Sequence, residues 1–327
     1  MTPMNSSLEE VWHSAVTRQA AAAPSSHAHV IFRTDDSSRV GTFGGVDSSG
    51  NLLFAVETTS PPPAVDIRSN SIDYFRQQRP EVGSWLMFLR LKDAELRSVF
   101  SRLCCDLIES ISDCPDDKAV IAETVSRIRL WQKLFNLRPD GLLDPHEVKG
   151  LTAELLFLLK QLKAGRLQSD EIVLSWLGPT GSDQDYIFST ESFEIKAVSP
   201  SAELVSISSL QQLQSDRALS LSIWTLRQAA PTEPQAWTLN ALVLKAESHL
   251  ADSPTALGTF RDRLLSEGYV HHALYDSIAY ESLAEETFQV EGDFPRITES
   301  DVPTGIVTAS YSISLHSIRA ARSPAHG

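Results

Sequence analysis

The sequence predicts a mixed fold, α/β in its core and α+β overall, on three observations. The first 92 residues alternate short β-branched and aromatic runs with turn signals. From about residue 93 to 163, apolar residues return every three or four positions, the period of packed helices. Residues 144–226 then read helix, strands, helix, strand, with a charged hairpin at Gly181–Ala197 in the middle. The chain thus divides into a β-rich N-terminal subdomain (1–92), a helical connector (93–143), a core (144–230) and a set of C-terminal helices and strands packing on that core (231–327).

Residues 6–19 form a short helix, and an Ala/Pro/Ser linker at 20–26 leads to the first strand. His29–Arg33, Arg39–Phe43, Leu52–Val56 and Trp85–Leu91 are strand-like, with Asp47-Ser-Ser-Gly50 as a turn and Pro61-Pro-Pro63 closing the region. Asp93–Ile111 and Asp117–Phe135 are helices. Asp144 as N-cap, Pro145 at the first helical position and Glu147 at the third open a helix to about Lys163. Glu171–Trp176 runs into the turn cluster Gly178-Pro179-Thr180-Gly181. After the hairpin come a strand at Leu204–Ser208, a helix opened by a capping box at Ser209-Leu-Gln-Gln212, and an alternating strand at Ala218–Leu226. Two helices (236–250 and 254–267), strands at Ser282–Val290 and Ile306–Leu315, and a disordered tail from Arg319 complete the chain.

Composition narrows the function classes. No run of about 18 uncharged apolar residues exists and no basic n-region precedes an apolar stretch, so neither a membrane span nor a signal peptide is expected. Cys104, Cys105 and Cys114 make a poor disulfide framework, which fits a reducing cytoplasm. The net charge of −14 weighs against tight DNA binding by this chain alone, since such binding needs clustered Lys and Arg to displace counterions.

The hairpin carries the chemistry. With Thr190-Glu191 or residues 189–192 as its connection, paired residue numbers sum to 381, placing Ile187 opposite Glu194 and Asp185 opposite Lys196. Asp185, Glu194 and Lys196 then share one face, while Phe193, Ile195 and Ala197 point to the other. Asp185 and Glu194 become diagonal neighbours, backbones roughly 7–8 Å apart, a gap two carboxylates can bridge with a divalent cation. Glu154, the one charge within 151–159, lies at the edge of the stripe of Leu151, Leu155, Leu158 and Leu162. Burying it demands a cationic partner, either a metal or Lys196. Such a site suits phosphodiester hydrolysis, in which metal-bound water attacks and Lys196 orients it or stabilises charge on the phosphate.

Residues 144–226 resemble the core of the PD-(D/E)XK nuclease superfamily, an αβββαβ, restriction-endonuclease-like arrangement. Asp185 stands at the first acid, Glu194 and Lys196 at the (D/E)-x-K, and Glu154 at the helix acid many members carry. The spread from Leu151-Thr-Ala-Glu154 through Trp176-Leu-Gly-Pro179, Gln184-Asp-Tyr186 and Phe193–Ala197 to Ile207–Leu213, with Phe294-Pro-Arg-Ile297 and Tyr311-Ser-Ile313 beyond, is similar to bacterial PD-(D/E)XK motif proteins. The resemblance implies a catalytic set of Asp185, Glu194, Lys196 and Glu154, with Mg²⁺ (or Mn²⁺) held by Asp185, Glu194 and Glu154. It implies a DNA endonuclease of a restriction-like, anti-phage defence system, accompanied by methyltransferase and ATPase proteins and compatible with a homodimer. The competing reading is a catalytically silent DNA-binding or assembly module. Gln184 stands where the superfamily motif has proline, which is not a ligand.

Lys160, Lys163, Arg166 and Gln212 are the candidate DNA contacts; the basic series, with Lys149, serves equally to solubilise a helix end, and Gln211 and Gln212 read first as cap and solvent-facing groups. His271-His272 lacks further ligands at metal spacing, Gly41-x-x-Gly44-Gly45 lacks the Lys-Ser/Thr of a phosphate loop, and no Gly-x-Ser-x-Gly elbow occurs.

Overall fold

The computed structural model describes residues 3–21, 29–35, 37–65, 71–137 and 142–321; linker residues 22–26 and tail residues 322–327 lie outside the described set. The chain divides into two compact units, Met1–Leu142 and Leu143–Gly327. None of the described helices is long and apolar enough to cross a membrane.

In the first unit, helix α1 (Pro3–Ala21) precedes strands β1 (Val30–Arg33), β2 (Thr42–Val46), β3 (Leu52–Thr58), β4 (Ile72–Arg79) and β5 (Ser84–Leu91), followed by α2 (Arg97–Ile111) and α3 (Asp117–Leu137). The strands form one antiparallel sheet in the order β1-β2-β3-β5-β4. α1 crosses β2 so closely that a Cβ on Gly44 would stand 2.9 Å from the Val11 side chain. The indole of Trp12 donates to the Leu53 carbonyl at 2.8 Å. The sequence reading lacks β4: Arg76-Gln-Gln-Arg79 shows no apolar alternation, because this strand lies at a sheet edge with much of its length exposed. β2 also begins three residues later than the strand expected from Arg39.

The second unit opens with α4 (Pro145–Ala164), whose Asp144–Glu147 capping box is present as expected and whose end is set by Gly165 in the left-handed conformation (φ 61°). α5 (Ser169–Ser175), β6 (Tyr186–Ile187), β7 (Glu191–Val198), β8 (Leu204–Ile207) and β9 (Ala218–Ala229) follow. Then come β10 (Ala236–Thr238), α6 (Leu239–Leu250), α7 (Pro254–Ser266), β11 (Ala279–Gln289), β12 (Tyr311–Ser314) and α8 (Leu315–Ala321). The main sheet runs β10-β11-β9-β7-β6; β7 and β9 are parallel and the other pairs antiparallel. Phe157 of α4 packs its ring on Tyr186 and Phe193, at 4.7 and 4.9 Å between centroids. On the other face, Leu219, Leu221 and Ile223 of β9 join Val205, Ile207, Ile313, Leu315 and Ile318 in one buried cluster.

Further expectations differ from the structure. β8 leaves the main sheet and pairs with β12, a partner too distant in sequence for local patterning to reveal. The helix expected at Ser209 is a single 3-10 turn, Gln211–Leu213, in the connection between β8 and β9. Ala236–Thr238 is a strand; Thr238 caps α6, its hydroxyl accepting from the Ala241 amide at 3.2 Å. Of Ile306–Leu315 only four residues are strand, since β8 offers four partners, and Leu315 starts a helix that includes Arg319–Ala321. Cys104, Cys105 and Cys114 form no disulfide.

Candidate active site

The hairpin turns one residue earlier than expected, which shifts the pairing register by two. Phe188 N–H donates to the Glu191 carbonyl at 2.8 Å, leaving Ser189-Thr190 as the loop. Tyr186 pairs with Phe193 and Ile187 with Ser192, so paired numbers sum to 379 rather than 381. The slip is even, and strand side chains alternate with period two, so every residue keeps its face. Asp185, continued in the same register, falls opposite Glu194 instead of Lys196 and closer to it than the expected diagonal.

Backbone contacts fix Asp185 before its side chain does anything. Its carbonyl accepts from the Leu177 and Gly178 amides at 2.8 and 3.0 Å, and Trp176 bridges to Tyr186 just beyond. Its carboxylate accepts from the Ile195 amide at 2.7 Å, the peptide between Glu194 and Lys196. Gly178 is the close approach: a Cβ there would lie 2.9 Å from Asp185 Oδ1 and 3.6 Å from Glu154 Oε2. Burial raises the Asp185 pKa from 3.8 to about 6, against the Ile195 amide and the Lys196 charge, which lower it.

Glu194 is 1% exposed. One of its oxygens pairs with Lys196 Nζ at 2.8 Å, while Oε2 is buried with no hydrogen-bond partner among the described residues. Burial, then the Asp185 charge, push its pKa well above the ordinary carboxylate value, and Lys196 offsets only part of this. The Trp176 indole donates to the Glu154 carboxylate at 2.7 Å. Its pKa is also raised well above normal, by burial first, then by Asp185 and by Glu267 at the end of α7, and only weakly by Glu194. Asp185 is therefore the acid that both other carboxylates feel most among charges.

Lys196 Nζ reaches a second acceptor, Gln212 Oε1, at 3.2 Å. That oxygen also accepts from the Ser208 amide at 2.7 Å, so Gln212, read as a cap and as a DNA contact, is engaged beside Lys196. Lys160 pairs with Glu285 at 2.7 Å, and Lys163 and Arg166 are exposed around the end of α4. His272 caps a short 3-10 turn, its Nδ1 accepting from the Leu274 amide. Sequence reasoning assigned no role to Trp176, Gln184 or Tyr186. A signal was present for the first: a buried acid at Glu154 needs a donor, and an indole is donor-only.

An all-oxygen donor set with one buried orphan oxygen suits a hard divalent cation, which keeps several waters and needs only one or two protein carboxylates. No three His, Cys, Asp or Glu among the described residues form a ready-made metal cluster. Asp185 and Glu194 are opposed in the hairpin register, and Asp185 and Glu154 both approach Gly178.

An acid immediately before one strand, acid-x-lysine on its antiparallel neighbour and a further acid on the preceding helix define a protein of the PD-(D/E)XK type. A family model described as "Putative PD-(D/E)XK family member, (DUF4420)" matches residues 8–316, and the chain belongs to that family. Its mixed α/β architecture accords with the restriction-endonuclease-like fold of that class. Membership suggests nuclease activity with DNA as the substrate class, and nucleases of this type generally use divalent metal ions. Neither a curated protein nor a solved structure matches the chain significantly.

Proposed function

We propose that the chain is a Mg²⁺-dependent DNA endonuclease, with Mn²⁺ as an alternative ion, working in the cytoplasm within a bacterial restriction-like anti-phage defence system. One observation carries this reading: on a buried strand face, Glu194 keeps an oxygen without a partner beside Asp185, a second carboxylate raised in pKa. Asp185 and Glu194 are the ion-holding pair, and Glu154 adds negative charge behind Asp185. A divalent ion held there supplies a water of lowered pKa and offsets charge on the scissile phosphate. Lys196 spends one N–H on Glu194 and one on Gln212, and its third is available to the attacking water or a phosphate oxygen. In the hydrolysis, the water oxygen bonds to phosphorus, the bridging P–O bond breaks, and the departing oxygen takes up a proton.

The second reading, a silent DNA-binding or assembly module, draws on charge. With 28 Lys and Arg against 42 Asp and Glu, and Lys160 paired to Glu285, net charge opposes tight binding to a DNA backbone by this chain alone. Partner proteins of the methyltransferase or ATPase kind, or a second copy of the chain, then bring the DNA.

The test is plasmid cleavage with Mg²⁺ or Mn²⁺ by the wild-type protein, Asp185→Ala and Lys196→Ala. Each variant is expected to lose on the order of 100-fold or more in rate, as when a group stabilising transition-state charge is removed. Equal nicking by all three proteins would refute the catalytic assignment; retained DNA binding without cleavage selects the silent module.

A further inference from the structure

We propose that Gln184, the residue before the first acid, is a positioning residue for Lys196, acting through the 3-10 turn that carries Gln212. The Gln184 side chain is buried in a residue 5% exposed. Its amide nitrogen donates to the carbonyl of Gln211 at 2.8 Å and to that of Gln214 at 3.0 Å. These two carbonyls flank the turn Gln211–Leu213, so one side chain grips it at both ends.

The turn needs that grip. A single 3-10 turn has almost no internal hydrogen bonding to hold it in place; here Gln214 N–H to Gln211 O, at 3.0 Å, is its closing bond. An α-helix in the same position would be held by its own ladder and its packing face. External bonds take over instead: Gln184 on the inner side, and on the outer side Arg296 Nη1 to the Leu213 carbonyl at 3.1 Å and Gln211 Nε2 to Glu299 at 2.7 Å. The C-terminal segment around Arg296–Glu299 thereby gains a definite task. At the centre of the clamped turn, Gln212 Oε1 meets Lys196 Nζ.

The consequence is a fixed spacing. Gln184 adjoins Asp185 in the chain, and its amide reaches the turn whose next side chain holds Lys196. The distance from the first acid to the lysine is set by this bridge as well as by the hairpin. A position at which the family motif has proline here carries a side-chain clamp. Gln184 contacts no reacting atom, so it positions and does not catalyse. The catalytic consequence rests on the nuclease reading above; the geometric claim does not.

The test uses the full chain with isotope-labelled lysine and follows the Lys196 Cε–Hε NMR signal, assigned by its loss in Lys196→Arg. Gln184→Met keeps the side-chain volume and removes the donor. Its Lys196 signal is expected to move from the wild-type position toward that of Gln212→Met. Gln184→Asn, one methylene short of the two carbonyls, makes the same test should the Met variant fold poorly, and is expected to move the signal in the same direction. An unmoved Lys196 signal in a folded Gln184 variant overturns the proposal. The signal is read without substrate, so its outcome stands whether or not the wild-type protein cleaves DNA. In a cleavage assay, Gln184→Met is expected to lower kcat by roughly 10-fold or more while KM changes little, the pattern of a misplaced group. A change in KM alone counts against positioning.

Discussion

Both units of this chain bury a carboxylate at or on a sheet, and they treat it in opposite ways. In the first unit, Asp47 is 4% exposed, yet its oxygens accept from the amides of Ser49 and Asn51 and from the Asn51 side chain, all at 2.9 Å. Arg90 stands 3.6 Å away. Burial pushes the Asp47 pKa up, and these donors more than reverse it, so the net shift is downward. In the second unit Glu194 is equally buried but has only Lys196 and the Asp185 backbone as donors and keeps an orphan oxygen, and its pKa is well above normal. Burial alone therefore does not mark a functional acid; a shortage of donors does. Asp47 is completed by its own turn, whereas Glu194 keeps an oxygen without a hydrogen-bond partner among the described residues.

The contrast is testable in stability, starting with the largest effect. Asp47→Ala removes a buried charged acceptor from three hydrogen bonds, and is expected to cost about 4 kcal/mol, read as a fall in the urea midpoint at unchanged m-value. Asp185→Asn is expected to act in the opposite direction near neutral pH, because it removes a buried like charge next to Glu194. Its size follows from proton linkage: the folded pKa of about 6 lies above the unfolded 3.8, so the folded state binds the extra proton between these values. Stability contributed at low pH is lost as pH rises through that window, about 3 kcal/mol for a gap of roughly two units. Wild-type protein should lose stability from pH 4 to 7 relative to Asp185→Asn, while the Asp47 contribution is lost only as pH falls below about 4. A flat wild-type-minus-variant difference across this range would break the comparison.

How much of this was legible in the sequence depended on distance along the chain. The Asp47–Gly50 turn and the Asp144 capping box were readable because their bonds close within four residues. The shared face of Asp185, Glu194 and Lys196 was readable despite a wrong register, because a two-residue slip preserves alternation. β8 was readable as a strand but not as β12's partner, and β4 was hidden by its polar edge face. The Trp176–Glu154 bond and the Gln184 clamp were out of reach for the same reason: each joins separate elements, and the clamp also depends on a helix that proves to be a single turn.

The smallest expected effect bears most directly on what the second unit lacks. A divalent ion that binds the folded state alone stabilises it by RT ln(1 + [L]/Kd), about 2.7 kcal/mol at a hundredfold excess over Kd. Protons compete for the same carboxylates: Asp185 gives up its proton near pH 6, and burial raises the Glu194 pKa well above its ordinary value. Mg²⁺ should therefore raise the melting temperature more at pH 8 than at pH 5. Glu194→Gln should remove most of the shift, and Asp47→Ala, for all its greater cost to stability, should leave it intact. A shift that survives Glu194→Gln, or that vanishes with Asp47→Ala in a folded protein, would place the ion away from the hairpin and erase the distinction between the completed and the uncompleted acid.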